Sequence, residues 1–320
     1  MALFLFVFSK YIATTILEAP NLDVSLKYVA AWVVFNALTT TQIGILSGFG
    51  EFKKMAKINT VVGVFTFVSS VGLTYFFGLE GALIALVLSQ LLNWYLNHVV
   101  VKDYIPKKEH TEDNKMLLKE ILLFSFPIAL QEALYSATSW MSYLLLIKLT
   151  SYGELGLYSA AMQWSAVILF IPAILRNVVL SHMSQASDDT SKHNSILKQM
   201  LMINFVSTLI PFLIIYLLSD YITGFYGNTF KGLKEILNIS VFTTIFVCLS
   251  NVYVQAYMSK GKNWLMLWLR FFRDSGIILL TFWLITNGYK ENGAQMLAWS
   301  SLIMSGMFLA VIAMYYEIKL

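Results

Sequence analysis

Six ionisable side chains fall inside long apolar stretches of this sequence: Lys10, Glu132, Arg176, Arg270, Arg273 and Asp274. An ionisable group at membrane depth costs several kcal/mol unless it is paired or hydrated, so each marks a candidate site. Arg270, Arg273 and Asp274 stand at i, i+3 and i+4, which puts them on one face of a helix. Counted from Trp264 at about 1.5 Å per residue, Arg273 lies roughly 14 Å along its stretch, near mid-depth. Such a trio either lines a wet cavity and holds an anionic headgroup, or contains an Arg270–Asp274 pair that joins helices. Glu132 lies roughly 16 Å into its own stretch, counted from Ile121. A carboxylate in such surroundings suits proton carriage in coupled transport, or a bond to a neighbouring helix. Gln131, Tyr135 and Trp140 share that stretch and offer amide and aromatic surface of the kind that suits sugars. Arg176 sits near the end of its run, placed to meet phosphate or to snorkel to lipid headgroups. Lys10 belongs to an incomplete first run. The set holds four cations against two anions. That surplus attracts a pyrophosphate, which fits the bidentate guanidinium fork, and repels a cationic drug.

The elements that must position these groups are legible in composition. The chain has 320 residues, 58% of them apolar and 12% charged, with mean hydropathy +0.68. Soluble domains run about 45–50% apolar and about 25% charged. A single cysteine, Cys248, and four scattered histidines exclude a disulfide framework and a Cys/His zinc site. The net charge of +4 gives no sign of a nucleic-acid partner. A span needs roughly 20 apolar residues as helix. Ten runs qualify, at about 1–17, 27–48, 58–77, 81–100, 121–149, 156–180, 199–218, 235–257, 264–285 and 294–316. The run 121–149 is longer than one perpendicular crossing and predicts a tilt, or a bend near Pro127. The first run has no basic flank or small-residue cleavage site, so it reads as a span rather than a signal peptide.

Tight-turn chemistry separates the runs at Ser47-Gly48-Phe49-Gly50, Gly78-Leu79-Glu80-Gly81, Ser151-Tyr152-Gly153 and Thr286-Asn287-Gly288. Alternate loops collect most of the lysines, among them Lys53, Lys54, Lys57, Lys107, Lys108, Lys192, Lys198, Lys260 and Lys262. The opposite loops hold only Lys27, Lys148, Lys231, Lys234 and Lys290. The positive-inside rule therefore predicts a cytoplasmic basic side with both chain ends on it. Trp94, Tyr95, Tyr104, Trp264, Tyr315 and Tyr316 fall at span ends and suit an interfacial aromatic belt.

Spans two to four resemble spans eight to ten at an offset of 212 residues, with Ser47 on Ser259 and Gly81-Ala82 on Gly293-Ala294. Both copies start on the cytoplasmic side, so the repeat is parallel. The fifth and sixth spans then lack upstream partners. The expected fold is an all-α polytopic membrane protein of about ten transmembrane helices, a parallel two-lobe repeat with the first two helices of the first lobe missing. Residues 1–100 form the incomplete N-terminal lobe, 101–120 a cytoplasmic linker and 121–320 a six-helix C-terminal lobe. A natural ten-helix protein is the competing expectation.

Several segments carry a family resemblance. Thr41-Gln42-Ile43-Gly44-Ile45-Leu46-Ser47-Gly48, the basic turn Glu51-Phe52-Lys53-Lys54, Gly78-Leu79-Glu80-Gly81-Ala82-Leu83-Ile84-Ala85 and Ser89-Gln90-Leu91-Leu92-Asn93 are similar to the first lobe of polysaccharide flippases. Phe124-Ser125-Phe126-Pro127, Gly153-Glu154-Leu155-Gly156-Leu157-Tyr158-Ser159-Ala160-Ala161 and the stretch from Leu175 to Ser184 resemble the start of the second. These flippases are O-antigen and capsule exporters within the multidrug/oligosaccharidyl-lipid/polysaccharide exporter superfamily. The resemblance covers nearly the whole chain, is diffuse, and departs from the family in starting about two helices late. It implies two helical bundles around a cavity that opens alternately to each side. The implied substrate is an undecaprenyl-pyrophosphate-linked oligosaccharide, moved to the outer leaflet of the cytoplasmic membrane, with no cofactor.

The expected partners are that lipid-linked oligosaccharide and the surrounding membrane lipids, and coupling to a proton or sodium gradient is compatible with the residues present. Three other readings compete: a cation-coupled multidrug exporter of the same fold, an inactive fragment, and a membrane polymerase or acyltransferase. The last needs a catalytic constellation near an interface, and the longest outer loop, roughly 219–234, offers little more than Asp220, Lys231 and Lys234. No Gly-rich phosphate loop or His-Glu-x-x-His pattern is present.

Overall fold

A computed structural model describes residues 2–16, 20–104, 114–187, 189–227 and 230–319. The chain divides into two units, Met1–Thr111 and Glu112–Leu320. All regular structure among the described residues is helical. Six of the helices are long and apolar enough to cross a membrane.

The first unit opens with α1 (Ala2–Val7), α2 (Ser9–Tyr11) and a π-turn at Ile12–Ile16, a broken version of the first predicted span. Next comes α3 (Asp23–Gly48), whose first residue is an acid at the positive end of the helix dipole. Asp23 accepts a 2.6 Å hydrogen bond from Ser9 and pairs with Lys27 at 2.9 Å, which ties α2 to α3. The long helix α4 (Phe52–Val101) is interrupted at Gly78, whose φ of 59° and ψ of −134° only glycine adopts readily. The Tyr104 hydroxyl, just beyond α4, donates to the Glu51 carboxylate just before it. The two ends of α4 therefore meet, and the element is a helical hairpin with Gly78 at its apex. Gly81 completes the turn: a Cβ there would lie 2.0 Å from the Leu73 carbonyl oxygen. The predicted pair of spans at 58–77 and 81–100 is this hairpin. Gln90 donates to Asn36 at 3.1 Å and joins it to α3.

The second unit contains α5 (Asn114–Leu149), α6 (Tyr152–Gln185), α7 (Thr190–Leu217), the short α8 (Ser219–Phe225), α9 (Leu233–Ser259), α10 (Asn263–Thr286) and α11 (Gly293–Lys319). The helices outrun the predicted apolar runs by up to nine residues at an end, because polar residues at the surface extend a helix without adding hydropathy. Pro127, Pro172 and Pro211 all lie within continuous helices. α9 is the most buried of the six candidate spans and packs against α6, α7 and α11. Ser151 caps α6 by accepting from the Glu154 amide at 3.3 Å, while the Glu154 carboxylate accepts from the first-turn Ala294 amide of α11 at 2.7 Å. One acidic residue thus satisfies an otherwise orphan helix-terminal donor on a second helix.

Two apolar layers fill this unit. One gathers Leu146, Ile168, Leu237, Val241, Leu297 and Ala298. The other gathers Val179, Met183, Val252, Tyr257, Met266 and Ile312. Beside the second layer, His193 is fully buried, its Nε2 2.9 Å from Ser259 Oγ and its Nδ1 2.7 Å from Tyr316 Oη. Ser259 also donates to the Ala256 carbonyl, and the Tyr316 hydroxyl also reaches Asn194 Oδ1 at 3.1 Å, so the imidazole is held from both sides. On α9, α10 and α11 polar residues fall between the two layers, and on α6 Arg176 does. The candidate site lies among them.

Candidate functional site

Glu132 projects from α5, Arg176 from α6, and Arg270, Arg273 and Asp274 from α10. The Glu132 carboxylate lies 3.4 Å from Arg176 Nη2 and 3.6 Å from Arg270 Nη1, so one acid bridges two guanidinium groups on different helices. Glu132 and Arg176 are about half exposed, whereas the Arg270 side chain is only 11% exposed. Arg273 bends back along its own helix and pairs with Asp274 through Nη2 at 2.6 Å and Nε at 2.7 Å. Its guanidinium also lies over the Phe308 ring at 5.0 Å, a cation–π contact that fixes its direction.

These groups border a cavity of about 270 Å³ in the second unit. Glu132, Arg176, Arg270 and Arg273 line it together with Asn204, Asn251 and Gln255. Three guanidinium groups line it with one carboxylate, and because Asp274 already pairs with Arg273, the cluster of five carries a surplus of one positive charge. Arg270 Nε and Gln255 Oε1 are buried without a hydrogen-bond partner among the described residues. Buried polar atoms are normally satisfied, so each has capacity left for a ligand.

A second cavity of about 190 Å³ adjoins the first and shares Tyr135, Leu169, Val247 and Arg273 with it. Asp274 lines this one, and most of its other polar groups are hydroxyls.

The structure thus brings Glu132, Arg176, Arg270 and Arg273 into one cavity wall, with Asp274 behind Arg273. Of the two readings of the trio, the Arg270–Asp274 pair does not form: Arg270 turns toward α5, and the flexible Arg273 stem reaches the carboxylate of its immediate neighbour. Gln131, expected in the cavity, turns into the α5–α10 contact. It is 2% exposed and donates to the Asn263 carbonyl at 3.1 Å, while the Asn263 amide donates to the Phe124 carbonyl at 3.1 Å. Lys10 lies on α2 of the first unit, exposed, outside this cavity's lining. Trp140 is 69% exposed and lines neither cavity, whereas Tyr135 lines both.

Residue reading by charge missed the polar stripe of α9. Ser240, Thr244, Val247, Asn251 and Gln255 follow a three-to-four spacing and all border the two cavities. The signal was present as a helical period of small polar residues inside a span, but uncharged groups carry too small an insertion cost to stand out.

The family model described as polysaccharide biosynthesis protein matches residues 1–203. No curated protein matches the chain. Among solved structures, a mutant of the Vibrio cholerae MATE transporter VcmN superposes with a TM-score of 0.86 at 14% identity, over 99% of this chain and 74% of that one. A MOP superfamily transporter from Pyrococcus furiosus, described as having a binding pocket of reverse polarity that suggests a different function, gives a TM-score of 0.81 at 15% identity, over 99% and 77%. An outward-facing multidrug resistance MATE family transporter gives 0.81 at 13%, over 99% and 74%. At such identity the likeness is one of fold.

Proposed function

This chain belongs to the polysaccharide biosynthesis protein family and is a multi-pass membrane protein of transporter type, and on that premise we propose that it flips a lipid-linked oligosaccharide across the cytoplasmic membrane. The substrate is an undecaprenyl-pyrophosphate-linked repeat unit, moved by alternating access for O-antigen or capsule assembly. Both chain ends are cytoplasmic, in keeping with the lysine asymmetry of the loops.

The cationic cavity carries this reading. A pyrophosphate brings several negative charges and planar arrays of oxygens that match guanidinium donors. Arg270 and Arg176 already converge on the single Glu132 carboxylate, so an incoming anion finds their donors oriented. Arg273 is held by Asp274 and Phe308 and closes the wall. A cationic drug in the same space would meet a net positive cluster, which weighs against export of such compounds.

The test is reconstitution in proteoliposomes with a fluorescent lipid-linked oligosaccharide, read as the rate of leaflet transfer. Wild type is expected to transfer it, and Arg270→Ala and Arg273→Ala to transfer it at least tenfold more slowly. One lost charge-assisted hydrogen bond, at about 1.5–3 kcal/mol, corresponds to that range. Absence of transfer by wild type, or equal rates in the arginine variants, overturns the proposal. Efflux of a cationic drug that is indifferent to both substitutions would favour the exporter reading.

A further inference from the structure

The second cavity has a chemistry of its own. Among the described residues, its lining includes nine serines and threonines and three tyrosines, drawn from α5, α6, α9 and α11. Several of the hydroxyl protons are already spent on the backbone of their own helix. Ser139 donates to the Tyr135 carbonyl at 3.0 Å, Ser142 to Thr138 at 2.9 Å, Thr243 to Ile239 at 2.8 Å and Thr244 to Val241 at 2.6 Å. A hydroxyl that donates in this way keeps its oxygen lone pairs as acceptors. Two further oxygens have no partner among the described residues: Asp274 Oδ2, on a residue 3% exposed, and Ser240 Oγ, on a residue 5% exposed. The cavity is therefore an acceptor-rich concavity with buried polar atoms unsatisfied, and it suits a ligand that carries many donors.

A cation would also seek acceptors, but Arg273 sits 2.6 Å from the one carboxylate and neutralises it. That guanidinium also forms part of the lining, so the pair leaves the cavity without net charge. A neutral ring bearing several hydroxyl donors fits both the electrostatics and the tyrosine surface. In a pyrophosphate-linked sugar the anomeric oxygen is esterified directly to phosphorus, so a site for one group requires a site for the other beside it. The two cavities meet that requirement, with Arg273 and Tyr135 common to both.

We infer that the hydroxyl-lined cavity is the subsite for the sugar attached to the pyrophosphate, with Arg273 at the boundary between phosphate and sugar. This rests on the proposed function and assigns the two halves of the headgroup to adjoining pockets of one unit.

The experiment compares binding of three probes to the purified full chain: geranyl pyrophosphate, and the same compound carrying one hexose or one N-acetylhexosamine. Wild type is expected to bind at least one sugar-bearing probe about tenfold more tightly than the sugar-free one. Ser240→Ala combined with Thr244→Val is expected to abolish that advantage and to leave geranyl pyrophosphate binding within about twofold. Arg270→Ala is expected to weaken all three. If neither sugar-bearing probe gains over geranyl pyrophosphate, or if the hydroxyl variant weakens all probes equally, the sugar subsite is overturned while the cationic site stands. If wild type binds none of the three, the flippase reading itself fails. A far-ultraviolet spectrum and melting point matching wild type confirm that the hydroxyl variant is folded.

Discussion

Asp274 illustrates how a single residue serves structure and site together. It is 3% exposed, one oxygen holds Arg273 at 2.6 Å, and the other has no partner among the described residues. Deleting one member of a buried ion pair leaves an uncompensated charge, at a cost of about 3–5 kcal/mol. Asp274→Ala is therefore expected to lower the melting temperature in detergent strongly. The double variant Arg273→Met/Asp274→Leu should recover most of that loss, since apolar replacement of a whole pair is often neutral or stabilising. Equal melting of single and double variants would show that packing, not charge, dominates there. The arginines were legible in sequence because charge inside a span is conspicuous. Their partners were not, because an arginine stem spans several ångströms and can choose among carboxylates on two helices.

The α4 hairpin shows what one element demands of its glycines. Gly78 supplies a backbone conformation closed to other residues, and Gly81 gives the returning helix room against the Leu73 carbonyl. Gly81→Ala is expected to destabilise the protein by about 1–3 kcal/mol or more, because backbone rather than a movable side chain must yield. Gly72→Ala, on the same helix with nothing within 4 Å of the added carbon, is expected to be stabilising by roughly 0.5–1 kcal/mol. Thermal unfolding of the two variants checks the pair, and similar melting points would refute the close approach. Gly293, the predicted repeat counterpart of Gly81, is also confined: a Cβ there would lie 2.5 Å from Thr150 Cγ2. The surroundings differ: backbone confines Gly81, whereas side chains of Thr150 and Leu146 confine Gly293.

On the scale of the molecule, the lysine asymmetry of the sequence proposes an orientation with the basic loops inside, which is open to direct measurement. Cys248 is fully buried, so the native chain offers no exposed thiol among the described residues. A membrane-impermeant maleimide is expected to label Lys290→Cys in intact cells and Lys53→Cys only in inverted vesicles. The reverse pattern would overturn the orientation and the direction of transport with it.

The first of the ten expected spans is broken, and among the described residues six helices meet the length and hydropathy of a crossing. Hydropathy and turn residues nonetheless determined the helical fold class, the positions of the long helices and the candidate charges. Each of these depends on how a short segment partitions between water and lipid, a local property of the chain. Only the tertiary structure decided that Glu132 bridges Arg176 and Arg270, that Gln131 leaves the site for the α5–α10 contact, and that the weakly polar face of α9 borders two cavities. Those outcomes turn on side-chain direction and on which helices pack together, and a linear pattern of apolar runs carries neither.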